Sequence, residues 1–265
     1  MSDYIRIGEV NLWYDEKGAG SPVVLMHGGF SDSRDFAGNL DTLSSRHRLL
    51  LPERRGHGHT ADVAGPITIE NMAADMTGFV ERVVGGPAAL VGYSAGASVA
   101  LWFATQRPDL VSDLVLISGA FDPAGLIMRP DAEGEWPPQV VAAYAEVSPD
   151  GGDHFPVIAR KIADSVDQGS PLTADDLGRV GCPALVVAAD DDIVTLEHTV
   201  ELYRALPDGY LAIVPGSSHL LLHEHPDHCT QLIGAFLAGH RGPRLMPMAR
   251  GGAPAAWDDD GRPLD

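Results

Sequence analysis

The feature that most restricts the fold of this chain is the alternation of short apolar runs with segments of helix length. Strand-like runs fall at 10–14, 22–26, 49–51, 88–91, 114–117, 184–188 and 210–214. Several are apolar at successive positions, as strands buried on both faces are, and the gaps between them accommodate the crossover helices of a mainly parallel sheet. In 68–84, Glu70 and Asp75 come early and Met72, Met76, Phe79 and Val83 recur at helical spacing. Segment 95–106 follows a strand directly and stops before Pro108, and Pro226 opens a stripe of Cys229, Leu232, Ile233, Phe236 and Leu237. Each reads as a helix, the last with proline in its first turn. The class is α/β.

Residues 122–181 interrupt this alternation with prolines, glycines and amphipathic stretches at 140–146 and 156–166, which reads as an inserted cap. The expected organisation is a core formed by 1–121 and 182–238, a helical cap at 122–181 and a tail at 239–265. In the tail, Leu245, Met246, Met248 and Trp257 are too sparse for a core, with Trp257 as a docking residue at most. Cys182 and Cys229 read as small core residues. The 37 acidic against 18 basic residues give a net charge of −19, which argues against nucleic acid and anionic lipid as partners. The start, Met1-Ser2-Asp3-Tyr4, has no basic leader before an apolar core, and no apolar run approaches the roughly 20 residues of a membrane span, so a cytoplasmic location is expected.

The chemistry centres on Gly92-Tyr93-Ser94-Ala95-Gly96, placed between the strand at 88–91 and the helix that starts near Ala95. A sharp strand-to-helix turn strains its central residue and lifts the serine hydroxyl above the sheet, and the glycines leave room for close approach. The helix start behind it offers free N–H groups, so the Ala95 amide can stabilise an oxyanion. After the strand at 184–188 comes Ala189-Asp190-Asp191-Asp192, and after that at 210–214 comes Pro215-Gly216-Ser217-Ser218-His219. Loops at the carboxyl ends of parallel strands converge on one sheet edge. A serine hydroxyl needs a base, imidazole is suited to that at neutral pH, and an aspartate must hold its other nitrogen. Ser94 and His219 are therefore the expected nucleophile and base. Asp192 is favoured as the acid, with Asp190, Asp191 and Asp122 as alternatives. One aspartate of the triplet could instead cap the helix near Glu197. A second oxyanion donor is expected at Gly29 or Phe30, after His27-Gly28, with His27 as a structural hydrogen-bonder.

Taken together, His27-Gly28-Gly29, Arg54-Arg55-Gly56-His57-Gly58, the serine elbow, Asp192-Ile193-Val194 and Gly216-Ser217-Ser218-His219 make the chain from about 10 to 237 resemble the α/β-hydrolase superfamily. The resemblance is to its serine esterases, haloperoxidases and C–C hydrolases. It implies a mostly parallel eight-stranded sheet flanked by helices, with the cap inserted after the sixth strand. It also implies acyl transfer through Ser94 on an ester, lactone or thioester, without a cofactor, on a small-molecule substrate. C–C bond hydrolysis, acyl transfer to peroxide, and a ligand receptor on a retained hydrolase fold are the rival readings. Oligomeric state stays open. Glu53, Ala97 and Ala189 depart from the family's usual Asp, Gly and Gly. Serine at 94 argues against the haloalkane dehalogenases and epoxide hydrolases, whose nucleophile is a carboxylate.

A cap above the sheet's carboxyl edge makes Trp136, Tyr144 and Phe155, with Tyr93, the expected pocket residues. His219, His223, His225 and His228 lack the spacing of a metal site, so no metal is expected. Arg54 and Arg55 are too few for an anion site and are expected to tie neighbouring loops together.

Overall fold

The computed structural model describes residues 1–167 and 172–241; the tail beyond 241, including Trp257, lies outside the described residues. Eight strands form one sheet: β1 (Ser2–Ile7), β2 (Val10–Lys17), β3 (Ser21–Met26), β4 (His47–Pro52), β5 (Ala88–Tyr93), β6 (Val111–Ile117), β7 (Ala184–Asp191) and β8 (Gly209–Ser218), in the order β1-β2-β4-β3-β5-β6-β7-β8. The β1–β2 and β2–β4 pairs are antiparallel and the remaining pairs parallel. β1 is the strand that periodicity did not reveal. Of its residues only Ile7 is buried, so it carries almost no core pattern. A tight turn at Gly8-Glu9 pairs it with β2, with Gly8 at φ 54°.

The apolar runs are continuous because successive side chains enter two different cores. Val24 and Met26 of β3, Leu90 of β5, Leu116 of β6 and Val186 of β7 pack on one face; Val23, Leu25, Val91, Val115 and Val187 pack on the other. The flanking helices are α1 (Ile69–Phe79), α2 (Ala95–Gln106), α3 (Pro138–Val147), α4 (Phe155–Asp167), α5 (Ala174–Leu177), α6 (Leu196–Ala205), α7 (Leu221–Glu224) and α8 (Pro226–Leu237). The helix expected at 68–84 ends as α1 at Phe79 and continues through a π-helical stretch, Val80–Val84, that Gly85 closes at φ 74°. α8 buries Cys229, Ile233 and Phe236 against the second face. Burial pushes the Cys182 and Cys229 thiols up, to about 12 and about 11, in keeping with core roles.

Between β6 and β7 the chain forms α3, α4 and α5. Two core-loop residues fasten this segment: Arg34 donates to the Glu146 carboxylate and the Ala143 carbonyl of α3, and Asp62 accepts from Lys161 of α4 at 2.7 Å, with His154 also on Asp62. Its root is fastened as well. The Thr195 N–H donates to the Gly125 carbonyl, and the Ile127 N–H to that of Ile193. α6 is capped by Thr195, whose hydroxyl accepts from the His198 N–H, and not by an aspartate of the 190–192 triplet. Asp190 and Asp192 are engaged elsewhere, as described next. Among the described residues no helix is long and apolar enough to cross a membrane.

Candidate active site

Ser94, Ser118, Asp192 and His219 are each the first residue beyond a strand, following β5, β6, β7 and β8. Parallel pairing brings these four carboxyl ends to one edge. Ser94 sits at φ 54°, ψ −121°, in the strained turn between β5 and α2. The turn is possible because its flanks have no side chains: a Cβ on Gly92 would lie 2.3 Å from the Gly96 carbonyl oxygen, and one on Gly96 would lie 2.1 Å from that of Met26. Ser94 makes no side-chain cap on α2, which leaves its hydroxyl for other partners.

That partner is His219. Its Nε2 lies 3.0 Å from Ser94 Oγ, and its Nδ1 lies 2.7 Å from Asp192 Oδ1. The Asp192 carboxylate is fully enclosed, while the His219 ring keeps 20% exposure. Burial pushes the Asp192 carboxyl up, but hydrogen bonds from His219 and Ser118 outweigh it and hold the group below the usual carboxylate range. The other acids are placed differently. Asp190 accepts from the Gly216 and Ser217 N–H groups at 2.9 and 3.1 Å, Asp191 is exposed, and Asp122 accepts from the Ala124 N–H at 2.8 Å to start a short 3-10 turn.

The His219 loop is held from several sides. Besides Asp190, Glu224 accepts from the Ser218 N–H and hydroxyl, both at 2.7 Å, and the Tyr93 hydroxyl donates to the His219 carbonyl at 2.8 Å. Tyr93, expected from sequence as a pocket residue, thus anchors the His219 loop. Its side chain follows the β5 pleat into the second core, and it is 4% exposed.

The loop after β3 approaches the start of α2: a Cβ on Gly29 would lie 3.6 Å from that of Ala95, and Phe30 adopts φ 59°. The Ala95 N–H lies in the first turn of α2, outside the intrahelical ladder. His27 and Arg54 support this loop from below. The Arg54 N–H donates to His27 Nε2 at 3.1 Å, and its guanidinium donates to the carbonyls of His27 and Gly28 at 2.5 and 2.8 Å. Arg54 is fully buried and Arg55 pairs with Asp75 of α1 at 2.6 Å, so these arginines tie loops together. Asp35, unremarked in the sequence, accepts from the Gly28 N–H and the Ser31 hydroxyl at 2.8 and 2.5 Å.

Phe30 lies against Trp136 with the rings tilted and centroids 4.1 Å apart, and Phe155 lies 5.8 Å from Trp136 and 5.5 Å from Tyr144. Trp136 is half-buried, while Tyr144 and Phe155 are 7% and 2% exposed and join the first core. Of the histidines near the site, His225 Nε2 lies 3.1 Å from the Gly216 carbonyl. Among the described residues no group of three or more His, Cys, Asp or Glu side chains is placed to hold a metal ion.

A profile of the α/β hydrolase family matches residues 23–228, a span that contains all of these loops. The chain belongs to the α/β hydrolase family. A relative from Azorhizobium caulinodans that carries a carbamate-hydrolase name, RutD, is 23% identical over 88% of this chain and 97% of its own. One from Mycobacterium tuberculosis that carries a non-heme bromoperoxidase name, BpoC, is 28% identical over 86% of this chain and 98% of its own. The crystal structure of CarC, a serine hydrolase involved in carbazole degradation, matches with a TM-score of 0.76 at 23% identity, covering 90% of this chain and 98% of the other.

The three departures from the usual hydrolase pattern each have a local setting in this α/β hydrolase. Glu53 is fully buried and reaches the Ser33 hydroxyl at 2.7 Å and the His59 N–H at 2.6 Å. The Ala97 methyl is accommodated by Gly119, where a Cβ would lie 2.3 Å from it. The Ala189 N–H lies 3.3 Å from Asp192 Oδ2. Ser118, whose hydroxyl meets that same oxygen, escaped the sequence reading; its one signal was its place directly after a strand.

Proposed function

We propose that this α/β hydrolase cleaves a carboxylic ester, lactone or thioester through an acyl-enzyme on Ser94. The observation that carries the reading is the continuous line from Ser94 Oγ through His219, at 3.0 Å, to the enclosed Asp192 carboxylate, at 2.7 Å. Ser94 Oγ attacks the carbonyl carbon as His219 Nε2 takes its proton. The N–H groups of Ala95 and of Gly29 or Phe30 receive the oxyanion. His219 then passes the proton to the leaving oxygen or sulfur, the acyl–Ser94 ester remains, and a water deprotonated by His219 releases the acid and restores Ser94. Asp192 fixes the imidazole tautomer and stabilises the imidazolium throughout. Residues 122–181 form the cap in this reading, with Trp136 in the pocket roof.

Acyl transfer to peroxide is a second reading, favoured by the relative with the bromoperoxidase name. It shares every step up to the acyl-enzyme and replaces water by hydrogen peroxide. A panel of p-nitrophenyl esters of graded chain length, lactones and thioesters, with and without peroxide and with Ser94→Ala as blank, tests both. Turnover of at least one class that Ser94→Ala lowers by several orders of magnitude is expected, since removing a triad member leaves roughly 10³ to 10⁴ over water. Equal turnover by the folded variant contradicts the reading.

A further inference from the structure

We propose that Ser118 is a positioning residue of this site, acting through Asp192 to aim the carboxylate at His219. The inference rests on the serine-hydrolase reading above and adds to it a residue outside the triad. Its basis is a set of hydrogen bonds around one enclosed carboxylate. A carboxylate offers about four acceptor positions, and all that are unfilled in a dry site are costly. At Asp192, Oδ1 takes the His219 Nδ1 at 2.7 Å and the Val194 N–H at 3.4 Å, while Oδ2 takes the Ser118 hydroxyl at 2.5 Å and the Ala189 N–H at 3.3 Å. The two backbone contacts are long. The hydroxyl is therefore the principal donor on Oδ2, opposite His219, and together the two side chains fix the plane of the carboxylate.

The setting of Ser118 agrees with this. It is 3% exposed, so its hydroxyl needs a buried acceptor, and its N–H is fixed on the Val187 carbonyl of β7 at 2.8 Å. Its backbone lies at φ 49°, where glycine would be at ease and an L residue is strained. Phe30, Ser94 and Ser118 are the non-glycine residues with positive φ among the described residues, and each follows the carboxyl end of a site-bearing strand closely. A side chain kept at such a position is best explained by what it does, and here it bonds the acid.

The backbone strain supplies an informative pair of variants. Ser118→Gly removes the hydroxyl and relieves the φ, while Ser118→Ala removes the hydroxyl and keeps the Cβ, so an effect common to both reads the hydroxyl and a difference between them reads the backbone. Rates of fluorophosphonate labelling between about pH 4 and 9 read the triad without reference to a substrate. Both variants are expected to label tenfold or more slowly near neutrality, with the acid limb of the profile moved to higher pH, because losing the donor raises the Asp192 carboxyl. With a turned-over ester, kcat falls and KM stays within about twofold. In an Asp192→Asn background, Ser118→Gly has no further effect. Wild-type labelling at Ser94 with unchanged rate and profile in both variants overturns the inference and leaves the serine-hydrolase reading standing. Absence of wild-type labelling counts against that reading instead. The ¹³Cγ titration of Asp192 then decides on Ser118 by itself: an upward-shifted midpoint in Ser118→Gly supports it, and an unmoved one overturns it.

Discussion

Single residues in this molecule show how burial sets chemistry. His57 is 3% exposed, its Nδ1 meets the Arg55 carbonyl at 2.9 Å, and its Nε2 has no partner. Burial, then the nearby Arg54, pulls the imidazole from 6.5 down to about 3. Between those values the unfolded chain binds a proton that the folded chain refuses. The contribution is therefore complete above about pH 6.5 and is lost as pH falls toward about 3, with a slope of about 1.4 kcal/mol per pH unit. His57→Gln should flatten the dependence of stability on pH by about that slope between about pH 6 and 4, read from urea midpoints. Equal slopes in the two proteins would contradict the assignment. At this scale Ser94 and His219, which the structure brings within 3.0 Å, stand out in the sequence because each follows an apolar strand and carries reactive chemistry in its residue type. Asp192 was one of three adjacent aspartates, and only the structure separates its carboxylate, on His219, from that of Asp190, on the Gly216 and Ser217 amides. Ser118 meets Asp192, 74 positions away in the chain, which no local pattern reports.

At the scale of elements, α3 and α4 divide a role that sequence had assigned uniformly to Trp136, Tyr144 and Phe155. Phe155 opens α4 at 2% exposure with its ring among Phe30, Trp136 and Tyr144, while Trp136 precedes α3 and stays half-buried over Phe30. Phe155→Ala should thus cost about 3–5 kcal/mol of stability, as a large aromatic lost from a packed core does. Trp136→Ala should cost far less and instead change the ratio of kcat/KM between short and long esters, a contact worth roughly 1–3 kcal/mol. Denaturant midpoints and relative kcat/KM distinguish these outcomes; a reversed pattern would place Phe155 in the roof and Trp136 in the core. The amphipathic periods of α4 and α8 were legible because each buries one stripe. β1 was not, since an edge strand with one buried residue has no pattern to read.

For the whole molecule, the arrangement follows from parallel pairing. β5, β6, β7 and β8 are neighbours in the sheet order, so the residues that end them meet although Ser94 and His219 are 125 positions apart in the chain. Both sheet faces are buried, which leaves the carboxyl edge as the place where side chains are free to do chemistry. The segment between β6 and β7 is tied to core loops through Arg34 and Asp62. The claim on which all of this depends is that Ser94 is an activated nucleophile. Labelling the purified protein with a fluorophosphonate and mapping the adduct by peptide mass spectrometry tests it most directly. One adduct per chain is expected, on Ser94, with labelling abolished by Ser94→Ala and strongly slowed by His219→Ala. An unlabelled wild-type protein, or an adduct on another residue, would contradict it.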